Sequence, residues 1–256
     1  MSRRGLLRQL LAGLALATAG LVPALAAEVH IVFGQSLAPF ADERSGKGLE
    51  IDIIRAALQA GGGHSLRISF VPQARVPLAL QAGQCDGAAT ITPDSGVAAA
   101  YSDVYIHYQD FLIAPKGLFA QPPVLADLAG LRIVAFQRAT QYLGPAFAAM
   151  ARANPRYKEQ ADQLSQLRML FGGQTDVIIA ERHIYEHQLQ RLRASSFREQ
   201  PFEVEMFALF DKIPYRVGFR DPALRDDFNK GLALLRAQGL LARIEAAYAP
   251  RIQLRD

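Results

Sequence analysis

Val29, Ile31 and Phe33 occupy alternate positions, and Leu66, Ile68 and Phe70 repeat the pattern, which predicts two β-strands. Between them lies a polar loop over 34–48, followed by Ile51, Ile54 and Leu58 at helical spacing over 49–60. Gly61-Gly62-Gly63 stops that helix. A helix over 74–82 and apolar strands over 85–91 and 111–114 follow. After Pro122-Pro123 and Gly130 the cycle restarts. Strands are predicted over 131–136, 176–180, 203–209 and 215–219, and helices over 140–153, 164–171, 182–192, 223–238 and 240–248. Strands alternating with helices imply an α/β fold with mostly parallel pairing. Leu80-Gln81-Ala82-Gly83-Gln84-Cys85-Asp86 and Leu170-Phe171-Gly172-Gly173-Gln174-Thr175-Asp176 share the pattern L-x-x-G-Q-x-D, each between a helix and a strand. Two lobes of similar wiring are therefore expected.

The 256 residues carry 50% hydrophobic and 20% charged side chains, which excludes collagen-like and disordered classes and suffices for a sizeable core. A net charge of +4 comes from 28 bases against 24 acids. Arg3, Arg4 and Arg8 lie in a first stretch of 26 residues that has no acid, and without these three the bases fall to 25 against 24 acids. So neutral a body gives no basic field for nucleic acid. The single Cys85 forms no internal disulfide and reads as a core residue opening a strand. Residues 1–8 are basic, 9–27 are uncharged, and Ala24-Leu25-Ala26 is a small-x-small cleavage pattern, so 1–26 reads as a signal peptide. The start Ser2-Arg3-Arg4-Gly5-Leu6-Leu7 is similar to a twin-arginine signal, with Sec export the alternative. No Cys follows the run to carry a lipid, so an exported, soluble product in the periplasm is expected.

Other chemistry is thinner. His183-Ile184-Tyr185-Glu186-His187 spells H-x-x-E-H, which on a helix places two His one turn apart. The pattern is short and no third ligand is evident downstream, so no zinc and no other cofactor are expected. Walker A, Gly-x-Ser-x-Gly and dinucleotide fingerprints do not occur.

Leu37-Ala38-Pro39-Phe40, Gly48-Leu49-Glu50-Ile51-Asp52, Leu80…Gly83…Asp86 and Thr90-Ile91-Thr92-Pro93 follow in order along the chain. Tyr101-Ser102-Asp103, Asp127-Leu128-Ala129-Gly130-Leu131 and Gly239-Leu240-Leu241-Ala242-Arg243-Ile244…Tyr248 continue the series. In that order the chain resembles a divergent member of the periplasmic solute-binding proteins of family 3, the polar-amino-acid type that feeds ABC importers. The resemblance implies a two-lobed periplasmic-binding-protein-like (type II) fold of class α/β. Two crossing strands would form the hinge, near 107–112 and 214–219. Lobe 1 would comprise 27–108 plus 217–256, and lobe 2 would comprise 109–216. The resemblance further implies a small polar, amino-acid-like or carboxylate solute in the interlobe cleft, an ABC permease in the inner membrane as partner, and a monomer that is not an enzyme.

The family's Arg that clamps a ligand carboxylate is missing here, its place taken near Asp94-Ser95-Gly96. Pro72-Gln73-Ala74-Arg75 resembles a subgroup whose helix carries an Arg, so Arg75 is the expected replacement. Glu181 matches the family's acidic position for an α-amino group. Ser36, Phe40, Thr90, Arg138 and Thr140 complete the expected ligand-binding set. A zwitterion leaving water needs an opposite charge at each end, and Arg and Glu supply that pair. Thr140, near a helix start, adds a hydroxyl beside free N–H groups. The alternatives are that Arg75 and Arg138 are solvated surface residues and that Glu181 merely caps the next helix. Two further functions stay open on the same scaffold, a cyclohexadienyl dehydratase-like enzyme using Glu181 as general acid and a ligand sensor.

Overall fold

β1 (Glu28–Gly34) is buried along its whole length after Glu28. The alternation along it therefore separates two covered faces, not a core face from a wet one. Ile31 and Phe33 pack with α1 (Leu49–Gly62), while Val32 packs on the other side with α2 (Val76–Gln81). The computed structural model describes residues 26–195 and 203–248, so all of the expected signal peptide but its last residue, Ala26, lies outside the described residues.

Around β1 are β2 (Ser65–Val71), a 3-10 turn Gln73–Arg75 that runs into α2, β3 (Gly87–Ile91), β4 (Ala100–Tyr101) and β5 (Ile106–Tyr108). The second half of the fold holds β6 (Asp110–Pro115), β7 (Ile133–Phe136), α3 (Ala139–Tyr142), α4 (Gly144–Ala153) and β8 (Tyr157–Gln160). It continues with α5 (Gln163–Phe171), β9 (Val177–Glu181), α6 (Arg182–Arg193) and β10 (Val204–Phe207). β11 (Ile213–Phe219), α7 (Pro222–Ala237) and α8 (Leu240–Tyr248) complete the described chain.

One sheet has the order β2-β1-β3-β11-β4, with β5 also paired to β11, and the other has the order β10-β6-β9-β7-β8. These are two lobes. The sheets are mixed, which corrects the expectation of mostly parallel pairing. β1 runs parallel to β2 and β3, and β7 to β8 and β9, but β11 and β6 are antiparallel to all their neighbours. The antiparallel strands are the ones that begin just after the chain crosses between lobes, so they enter each sheet from the opposite end. At the crossing β5 and β11 pair with each other, Tyr108 opposite Ile213.

The repeated L-x-x-G-Q-x-D segment builds the same turn twice. The Asp86 carboxylate accepts from His30 N–H at 2.9 Å while Asp86 N–H donates to His30 C=O at 2.9 Å. Asp176 and Arg132 repeat both bonds at 2.7 and 2.9 Å. Gly83 and Gly173 hold φ of +70° and +66° there, a region in which a Cβ is strained.

Other differences from the pattern have local causes. The helix expected over 140–153 is two, because Pro145 disfavours helical backbone at the residue before it and Gly144 takes φ +88°. β8 was not predicted. Its sequence, Tyr157-Lys158-Glu159-Gln160, is polar because it is an edge strand paired on one side only. Cys85 is buried beside Val32 and Leu80, and burial pushes its thiol up to about 11.

α1 and α7 touch backbone to backbone. A Cβ on Gly231 would lie 1.8 Å from Ala57 O, and one on Gly61 would lie 1.8 Å from Asp227 O. His64 Nε2 reaches Asp227 Oδ2 at 3.0 Å beside that contact.

Candidate functional site

The crossing strands deliver a row of polar side chains to the seam between the lobes. Tyr108 ends β5, Asp110 opens β6, and Tyr215 lies on β11. With Gln73 and Thr90 from the first lobe and Tyr142, Gln163 and Glu181 from the second, they line a cavity of about 30 Å³. That is room for about two waters, so anything larger enters only when the lobes part.

Asp110 and Glu181 occupy directly paired positions on β6 and β9, and both are buried. Burial pushes the Asp110 carboxyl well above the usual carboxylate range, and the charge of Glu181 adds to the effect. Glu181 Oε2 accepts from the N–H groups of His183 at 2.7 Å and Ile184 at 2.9 Å, and Oε1 pairs with His183 Nδ1 at 2.7 Å. It is thus the N-cap of α6 and a wall of the cavity at once. Glu50 lies behind Thr90, fully buried, its Oε2 accepting from Thr90 Oγ1 at 2.7 Å. Burial pushes Glu50 up to about 7, partly offset by the hydroxyls of Thr90, Tyr105 and Tyr108. Thr90 has φ +55°, a strained conformation for a β-branched residue. It is pinned by that bond, by its N–H to Tyr105 Oη at 3.2 Å and by Gln73 Nε2 donating to its C=O at 3.1 Å.

The remaining expected residues have other partners. Arg75 is exposed and does not line the cavity. Arg138 Nε donates to Gln141 Oε1 at 2.7 Å and Nη2 to Ser95 C=O at 3.1 Å. Thr140 gives its N–H and hydroxyl to Glu159 Oε1 at 3.1 and 2.9 Å, while Arg138 N–H donates to Glu159 Oε2 at 2.6 Å. A carboxylate of the chain itself thus fills the start of α3. Ser36 accepts at Oγ from Gln163 N–H and at C=O from Gln163 Nε2, both at 3.3 Å. Phe40 stacks on Tyr108 with centroids 4.3 Å apart and meets the edge of His183. Of the expected set, Thr90 and Glu181 line the cavity, while Ser36 and Arg138 tie lobe to lobe. His183 of the H-x-x-E-H pattern is engaged by Glu181, and among the described residues no cluster of three or more His, Cys, Asp and Glu side chains is placed to hold a metal ion.

Gln73, Tyr108, Asp110, Tyr142, Gln163, Tyr215 and Glu50 were missed. Only Glu50 carried a signal, since it shares a helical face with Ile54 and Ala57 and so points inward with them.

The lobes meet through side chains on both rims. Ala74 N–H donates to Gln137 Oε1 at 2.9 Å, Arg138 holds Ser95, Gln141 Nε2 donates to Asp94 C=O, and Gln163 holds Ser36. Gln137→Ala deletes one latch worth about 1 kcal/mol net, so the open fraction is expected to rise about fivefold. Spin labels across the lobes read this as growth of the longer-distance population. An unchanged distribution would show that the latch does not hold the lobes.

A sequence model of the bacterial extracellular solute-binding proteins, family 3, matches residues 29–251. No curated protein matches the chain. Among solved structures the fold is similar to that of the arginine-, lysine-, histidine-binding protein ArtJ from the thermophilic bacterium Geobacillus stearothermophilus. That match has a TM-score of 0.69 and 16% identity, over 90% of this chain and 96% of that one. A histidine kinase sensor domain with similarity to periplasmic binding proteins matches with a TM-score of 0.73 and 16% identity, over 86% and 95%. The ancestral amino acid-binding protein AncCDT-1, a precursor of cyclohexadienyl dehydratase, matches with a TM-score of 0.65 and 19% identity, over 88% and 95%. Among the described residues no helix is long and apolar enough to cross a membrane.

Proposed function

Because this chain belongs to the bacterial extracellular solute-binding proteins, family 3, we propose that it captures a small polar solute between its lobes in the periplasm and hands it to an ABC permease. It acts as a monomer after loss of residues 1–26, with lobes of 27–108 plus 217–256 and 109–216. The observation that carries this reading is the buried polar cavity at the strand crossing, walled by both lobes and closed by hydrogen bonds across the rims. A solute there touches both lobes only when they are closed, so binding favours closure, the signal a permease can read.

The same scaffold hosts sensing and catalysis, and similarity of fold does not choose between them. The place of Glu181 favours binding over its use as the catalytic acid. A general acid must be free to give its proton, yet Glu181 Oε2 accepts from the N–H groups of His183 and Ile184 and Oε1 is paired with His183 Nδ1, so this carboxyl is committed to capping α6.

Native mass spectrometry of the protein purified from a periplasmic extract tests the reading. One small molecule retained per chain, released unchanged on denaturation, is the expected result. A chemically altered molecule, turned over by the protein, would move the assignment to an enzyme.

A further inference from the structure

The class of solute follows from what the cavity lacks, and this inference rests on the reading of the cavity as a solute site. The unpaired buried side-chain atoms around it include Gln73 Oε1, Gln163 Oε1, Glu50 Oε1 and the hydroxyls of Tyr108 and Tyr142. In both glutamines the amide nitrogen is already engaged, Gln73 with Thr90 C=O and Gln163 with Ser36 C=O, so the free atom is the acceptor. Asp110 and Glu181 add two buried carboxyls. No Lys or Arg lines the cavity among the described residues. Of the donors that the sequence offered to a carboxylate, Arg75 stands in solvent away from the cavity and the others are in use, with Glu159 on the N–H groups of Arg138 and Thr140, and Gln141 and Ser95 on the Arg138 guanidinium. Two buried acids without a base, two free amide oxygens, and the ring walls of Tyr108, Tyr142 and Tyr215 form an environment for a cation.

We propose that the solute is a small organic amine bound as its ammonium ion and carrying no carboxylate. The ammonium sits against Asp110 and Glu181 and donates to the free oxygens of Gln73 and Gln163. A zwitterion would place a carboxylate in the same cavity beside two buried acids with no Lys or Arg to pair it, and neutral hydroxyls alone do not offset the desolvation of a charge.

The test is a thermal-shift and calorimetry panel on the whole mature chain with three sets of probes. Putrescine, phenethylamine and ethanolamine are the cations, L-arginine and L-glutamine the zwitterions, and succinate and benzoate the anions. The expected result is a raised melting temperature with at least one of the cations and none with the zwitterions or anions. Asp110→Asn keeps the shape of the side chain and is expected to weaken that cation at least tenfold. Tyr108→Phe removes one hydroxyl of the cavity wall and keeps the ring that packs on Phe40 and Tyr215, and it is also expected to weaken binding. Zwitterions or anions binding while cations do not would overturn the inferred class and leave the solute-binding reading standing. A cation bound equally well by the parent and both variants would overturn the site. No shift with any probe and no molecule retained on native mass spectrometry would remove the solute-site reading itself.

Discussion

Gly231→Ala is expected to destabilise the protein by ~3 kcal/mol. The new Cβ would stand 1.8 Å from Ala57 O and 2.8 Å from Gly61 N. Both neighbours are helix backbone, so neither can swing aside as a flexible side chain would. α1 and α7 must separate, and the separation breaks contact along a face where Phe228, Leu232 and Leu235 meet Ile54 and Leu58 in the largest core cluster. For a chain of this size the loss corresponds to a fall in melting temperature of roughly 6–12 °C. Gly61→Ala meets the same contact from the other side. Once the helices have been pushed apart by one methyl the second costs less, so the double variant should fall short of the sum. Circular dichroism melts of the two singles and the double measure this. A loss below ~1 kcal/mol for Gly231→Ala would show that the helices slide to accommodate it.

Glu50 makes stability depend on pH. The carboxyl titrates near 4.5 when solvated but is pushed up to about 7 in the fold by burial. Below pH 4.5 both folded and unfolded chains hold the proton, and Glu50 is neutral to stability. As the pH rises towards 7 the unfolded chain releases its proton first, and the folded state loses ground until it too ionises. The total loss is about 3 kcal/mol, complete above pH 7. Glu50→Gln has nothing to release, so urea midpoints measured from pH 4 to 8 should show the variant gaining on the parent across that interval. Other titrating groups are common to both chains and cancel in the difference. Parallel curves would mean that Glu50 is ionised in the fold, held so by the hydroxyls of Thr90 and its neighbours.

Much of the fold was legible because burial writes a period into the chain. α1, α5, α6, α7 and α8 fall where apolar residues recur at helical spacing, and the L-x-x-G-Q-x-D turns mark the same step in both lobes. Strand direction was not legible, since β6 and β11 look like any buried strand and only the chain crossing turns them antiparallel. The site was harder. Glu181 is visible by resemblance, but its partner Asp110 is set by register between β6 and β9, which no local pattern encodes. Tyr108 and Tyr215 meet because two strands far apart in sequence pair at the crossing. Arg75 showed the right chemistry for a carboxylate, yet its place on a 3-10 turn ahead of α2 leaves it in solvent.

The two sheets differ in how much chain each must await. All strands of the second sheet lie between Asp110 and Phe207, so each pairing closes within one continuous stretch. The first sheet has β11 between β3 and β4, and its register sets Arg216 against Ile91 across the whole of the other lobe. Closing so long a loop is entropically costly, and long-range pairing of this kind is slow. On refolding, the inserted lobe therefore completes before the lobe that contains both described ends. A nascent chain truncated ahead of Ile213 holds one finished lobe and one sheet whose β3 edge is bare. Such an edge pairs with any strand that meets it, so partial synthesis of this protein yields an aggregation-prone fragment, not a half-active one.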